Sequence, residues 1–87
     1  MSTYLPRGDV IWLVGEILKT DKQINAGFRD RYVLGRRNGL ATTACRLLRV
    51  DSAGFNKYMK WVHEQVGSEG KRVGDLEEPA SWIRKNA

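Results

Sequence analysis

The side chains able to do covalent or metal chemistry are few. The chain has one cysteine, Cys45, and one histidine, His63. Two such ligands fall short of the roughly four that a structural zinc site uses. Cys45 reads as a core thiol, and His63, in the last turns of a helix, as a surface or dipole-complementing side chain rather than a base. Glu77-Glu78 is a solvated helix start, not a carboxylate pair in apolar surroundings. Gly67 and Gly70 lead into Lys71-Arg72 without the preceding strand that a phosphate-cradling loop needs. The expectation is no enzyme, no metal and no cofactor.

The remaining chemistry is electrostatic. The formal charge of the 87 residues is +5. Its placement is uneven: residues 29–60 hold eight bases, Arg29, Arg31, Arg36, Arg37, Arg46, Arg49, Lys57 and Lys60, against Asp30 and Asp51. The rest of the chain holds seven bases against eight acids. Such a concentrated excess is the footprint of a polyanionic partner. Trp12, Trp61 and Trp82 read as core, not as a stacking platform for single strands, which needs aromatics spread over an exposed face.

Helices must position these charges. Val10, Leu13, Val14, Ile17 and Leu18 recur at helical spacing, predicting a helix from Val10 to about Lys19 that Asp9 caps after a turn-like arm over residues 1–8. Ile11 and Trp12 widen its apolar face, which predicts burial in the core or against a second subunit. Thr20-Asp21-Lys22 reads as a break, with Asp21 a cap. Ile24, Phe28 and Tyr32 recur every fourth residue, predicting a second helix over about 22–35, with Asn38-Gly39 as a stop. A third helix is expected over Leu40–Leu48 and a fourth from Ser52 to about Gln65, with Phe55, Tyr58, Met59 and Val62 inward and Ala53, Asn56, Lys57 and Lys60 outward. After a flexible loop at 67–72, Asp75-Leu76-Glu77-Glu78 resembles a capping box for a short helix over about 76–85, with Pro79 in its first turn. No strand is expected. The fold class is all-α: one domain, a small bundle of four to five helices. No run is long enough to cross a membrane, and one cysteine suits a reducing, cytoplasmic setting.

Residues 41–60 resemble the helix-turn-helix DNA-binding motif of phage repressors of the Cro kind, and the C-terminal motif of the nucleoid protein Fis. The resemblance rests on the small pair Ala44-Cys45, on Leu48 and Val50 bracketing a turn, and on Ala53-Gly54-Phe55-Asn56-Lys57 opening a second helix. It covers roughly a quarter of the chain. The chain departs from the motif where glycine is usual in the turn, since Arg49 stands there and must adopt a positive φ or force another turn. Ala41 stands where a phosphate-holding glutamine is common, leaving Thr42 or Thr43 to substitute.

The resemblance implies a recognition helix over residues 52–60. Asn56 pairs with adenine, Lys57 and Lys60 reach guanine or phosphate, Ser52 hydrogen-bonds, and Ala53 meets a thymine methyl. Arg36, Arg37, Thr42, Thr43 and Arg49 are the phosphate candidates, and Asp51 is a cap. The expected function is a sequence-specific regulator of transcription on double-stranded DNA, phage- or plasmid-encoded, acting as a homodimer, with Val10–Leu18 or the last helix as the dimer interface. The alternatives are a small inhibitor or adaptor whose basic face meets a host or regulatory protein, and an RNA-binding helical module.

Overall fold

A computed structural model describes residues 7–86, and these form four α-helices with no strand among them: α1 Arg7–Asn25, α2 Arg31–Leu48, α3 Ser52–Gly67 and α4 Pro79–Asn86, with a 3-10 turn at Val73–Asp75 before α4. The fold is all-α, and no helix of the described residues is long and apolar enough to cross a membrane. The expected arm lies outside the described residues up to position 6. Arg7 and Gly8 already belong to α1, so Asp9 lies in its first turn instead of capping it.

The helix boundaries in the first half differ from those the pattern predicts. Thr20-Asp21-Lys22 does not break α1. The Thr20 hydroxyl donates to the Glu16 carbonyl at 2.8 Å and the residue is buried. The chain turns instead at Ala26–Asp30. Gly27, at φ +104°, lets its own N–H donate to the Ile24 carbonyl and the Phe28 N–H to the Gln23 carbonyl, at 3.1 and 2.9 Å. This is a Schellman stop built on glycine. Asp30 then caps α2 by accepting from the Val33 N–H at 2.9 Å. The four-residue recurrence of Ile24, Phe28 and Tyr32 therefore crosses a helix end. Phe28 and Tyr32 are 63% and 75% exposed, not core.

Asn38-Gly39 does not end a helix either. A glycine inside a helix costs about 1 kcal/mol relative to alanine, but Leu40, Ala41 and Ala44 just beyond it pack on the core and α2 lies along α1. The expected second and third helices are one, and it packs along α1. The core is the α1 stripe Val10, Leu13, Val14, Ile17 and Leu18 against Ala44 of α2, Phe55, Tyr58, Met59 and Val62 of α3, and Leu76.

The last helix begins at Pro79, later than the capping-box pattern suggests. Asp75 closes the 3-10 turn, and Leu76 has extended backbone. Pro79 at the first helical position needs no N–H partner and has its φ already fixed. Two contacts tie this segment to α1 and α3. Arg7 donates to the Glu78 carboxylate and the Gly74 carbonyl, both at 2.8 Å. The Tyr58 hydroxyl donates to the Glu77 carbonyl at 2.7 Å. Trp61 and Trp82 stack with centroids 5.4 Å apart, while Trp12 stands 57% exposed and is not core.

Candidate nucleic-acid interface

Residues 41–60 fall on the end of α2, a turn at 49–51 and the first half of α3. Ala44, fully buried, provides the small side chain that lets α2 approach α3 and α1 closely. Arg49 ends α2 with φ 56° and ψ 48°, the left-handed region, and is the one non-glycine residue with positive φ among those described. That conformation lets the Arg49 and Val50 N–H groups both donate to the Cys45 carbonyl, the latter at 3.1 Å. A side chain with a Cβ held in this region costs roughly 1–2 kcal/mol.

Asp51 then has extended backbone and accepts from the Gly54 N–H at 2.6 Å, capping α3 as its sequence position predicts. Gly54 is there for space. A Cβ at this position would meet the Asp51 carboxylate at 2.7 Å and a methyl of Ile83 at 2.9 Å. The first turn of α3 is thus closed on one side by its own cap and on the other by α4.

The buried stripe of α3 leaves Ala53, Asn56, Lys57 and Lys60 exposed together on the opposite side. A cleft between α2 and α3 is lined by Thr42, Ser52 and Asn56, with Arg37 at one edge. A groove on the other flank, between the turn, α3 and α4, is lined by Arg49, Ala53 and Lys57. Thr43 is exposed one residue further round α2. Most of the sequence-derived residues therefore gather around α3 and the turn, with Arg37 at the edge of the cleft and Arg36 outside it.

Those two arginines are engaged inward. Arg36 faces Glu16 at 3.4 Å, and Arg37 donates to Asp21 at 2.9 Å. The second Asp21 oxygen lies 3.0 Å from His63 Nε2, so one carboxylate of α1 joins α2 and α3. Asp21 is thus a three-helix tie and not a cap, and the His63 ring is turned inward onto it. By contrast, Arg29, Arg31, Arg46, Arg49, Lys57 and Lys60 have no salt-bridge partner among the described residues. Both acids of the basic segment, Asp30 and Asp51, are turned to backbone N–H groups.

Cys45 stands half-buried behind the cleft. Burial pushes its thiol up from the ordinary value, against a hydrogen bond from Ser52 that lowers it. A raised pKa keeps the thiol protonated and unreactive at neutral pH. Sequence reasoning missed Gly54, although a glycine in the first turn of an otherwise well-formed helix is a signal of close approach. Arg84 of α4 lines the same groove as Arg49 and Lys57.

No family model, no curated protein and no solved structure matches this chain.

Proposed function

We propose that this chain is a sequence-specific regulator that binds double-stranded DNA, with α2, the turn and α3 acting as a helix-turn-helix. The observation that supports it most is the outer face of the first half of α3. Ala53, Asn56, Lys57 and Lys60 project there without a carboxylate among them, and Glu64 appears only a turn later. A face of this composition suits a major groove ~12 Å wide, with Asn56 reading a base edge and the lysines reading guanine or phosphate. Thr42, Thr43 and Arg49 flank it as phosphate contacts, and Ser52 opens it. Arg36 and Arg37 add positive potential while holding α2 to α1.

One recognition helix makes few base contacts, so the regulator acts as a homodimer on a two-fold site. Val10–Leu18 is used up inside the protomer, apart from Trp12 and its half-buried neighbours. The expected result in a gel-shift titration is binding to random duplex at low salt that weakens steeply as salt rises. Asn56→Ala is expected to change sequence preference more than Lys60→Ala does. Absence of duplex binding at low salt would falsify the reading.

A second reading is a small inhibitor or adaptor that docks on a protein. It is favoured by Phe28 and Tyr32, both well exposed beside Arg29 and Arg31, which have no salt-bridge partner among the described residues. Aromatic and arginine side chains are the usual anchors of protein interfaces. Tyr32→Ala abolishing partner capture, with duplex binding absent in the wild type, is the outcome that selects it.

A further inference from the structure

Three cations from three elements line one groove: Arg49 from the turn, Lys57 from α3 and Arg84 from α4. The groove has a volume of about 490 Å³. Its one acid, Asp51, is occupied as a helix cap. Val50 and Ile83 are among the apolar side chains that line it beside the polar ones. Arg84 and Lys85 are neighbours with different fates. Lys85 is bound to Glu77 at 2.7 Å, while Arg84 has no salt-bridge partner among the described residues.

The position of Arg84 is fixed from both sides. A methyl of Ile83 lies 2.9 Å from where a Cβ on Gly54 would be, so α4 approaches the first turn of α3 at van der Waals range. Trp82 stacks on Trp61 and meets Tyr58 edge-on with centroids 5.7 Å apart. Arg84 is therefore presented beside the outer face of α3 by a clamped helix, not by a free tail.

We infer that this groove seats the sugar–phosphate backbone of the DNA strand flanking the major groove that α3 enters, with Arg84 as a phosphate contact supplied by α4. The inference rests on the DNA-binding reading above and names a contact outside the α2–turn–α3 unit. A nucleic-acid backbone alternates anionic phosphates with apolar deoxyribose rings, and half or more of protein–DNA hydrogen bonds go to phosphate and sugar. The cations match the first component, and apolar lining residues such as Val50 and Ile83 match the second. Continuity with Lys57, which the groove shares with the recognition face, places the seat one strand to the side of the base contacts.

The test compares wild type, Arg84→Gln and Lys85→Gln on a random-sequence 20-base-pair duplex over a salt series. Each phosphate contact contributes about 0.9 to the slope of log affinity against log salt. Arg84→Gln is expected to lower the slope by about one unit at unchanged sequence preference. Lys85→Gln is expected to keep the wild-type slope. In the wild type, the Trp82 indole N–H resonance is expected to shift as duplex is added, a readout independent of any variant's folding. If Arg84→Gln keeps the wild-type slope, if both variants lose it equally, or if Trp82 stays unmoved while the Asn56 amide shifts, the seat is wrong and the regulator reading survives. If wild type binds no duplex at low salt, both fall together.

Discussion

The two turns that join the long helices solve one problem in opposite ways. Between α1 and α2, Gly27 takes the positive φ, and the stop is completed by local backbone hydrogen bonds and the Asp30 cap. Nothing lies within 4 Å of where a Gly27 Cβ would be. Between α2 and α3, the positive φ falls on Arg49, and tertiary structure backs the turn. Leu48 and Val50 pack on the core, and α4 presses on Gly54. The first turn is a relaxed local device. The second stores strain under a cation, and strain of that kind gathers where function constrains the residue.

Filling the space that backs the second turn is the largest perturbation. Gly54→Ala is expected to destabilise the fold by about 2–3 kcal/mol, because the new methyl displaces both the Asp51 cap and Ile83. Gly27→Ala meets no neighbour, and its cost is the left-handed backbone alone, about 1 kcal/mol. Urea unfolding of the two variants measures the contrast. Equal losses would mean that α4 does not brace the second turn.

Tyr58 holds the lead-in to that brace, and its effect comes between these two. Tyr58→Phe leaves the Glu77 carbonyl without its donor, an expected loss of about 1–2 kcal/mol at neutral pH. Burial pushes the Tyr58 hydroxyl pKa well up, with the carboxylates of Glu77 and Glu78 adding to the shift and Arg7 opposing it. The folded pKa is raised, so the associated stability is fully present below the unfolded value near ~10 and is lost as pH rises beyond it. Wild type should therefore weaken with alkali in a way that Tyr58→Phe does not. Parallel stability curves for the two proteins above that pH would remove Tyr58 as the source.

The contrast also explains what could be read from the sequence. The α3 face was legible because its signals agree: Asp51 as cap, the stripe Phe55, Tyr58, Met59 and Val62, and polar residues between. The α1–α2 boundary was not, because Ile24, Phe28 and Tyr32 imitate a helical stripe across a glycine stop. Gly27 followed by the apolar Phe28, with Asp30 before the next helix, was the local signal that outweighs that periodicity. Asn38-Gly39 misled in the reverse direction, since packing of α2 along α1 overrides a weak local stop. The three-helix tie at Asp21 and the groove that Arg84 lines were beyond reach. Each depends on elements that meet only in the folded chain.

The smallest expected effect on stability is the most informative about function. Arg49→Gly removes the Cβ from the left-handed position but gives the unfolded chain more freedom, so the net gain is about 0.5 kcal/mol. If the turn were merely structural, that gain would be the whole outcome. Under the DNA-binding reading it comes with a loss: one fewer phosphate contact, and a salt slope lower by about 0.9. Arg49→Lys keeps the charge and the strain together, and is expected to bind duplex nearly as wild type does. A more stable Arg49→Gly variant that binds with the wild-type slope would show that charge is not what keeps arginine in the turn. A more stable variant that binds less would mean that the strain at this corner is retained for the contact it presents.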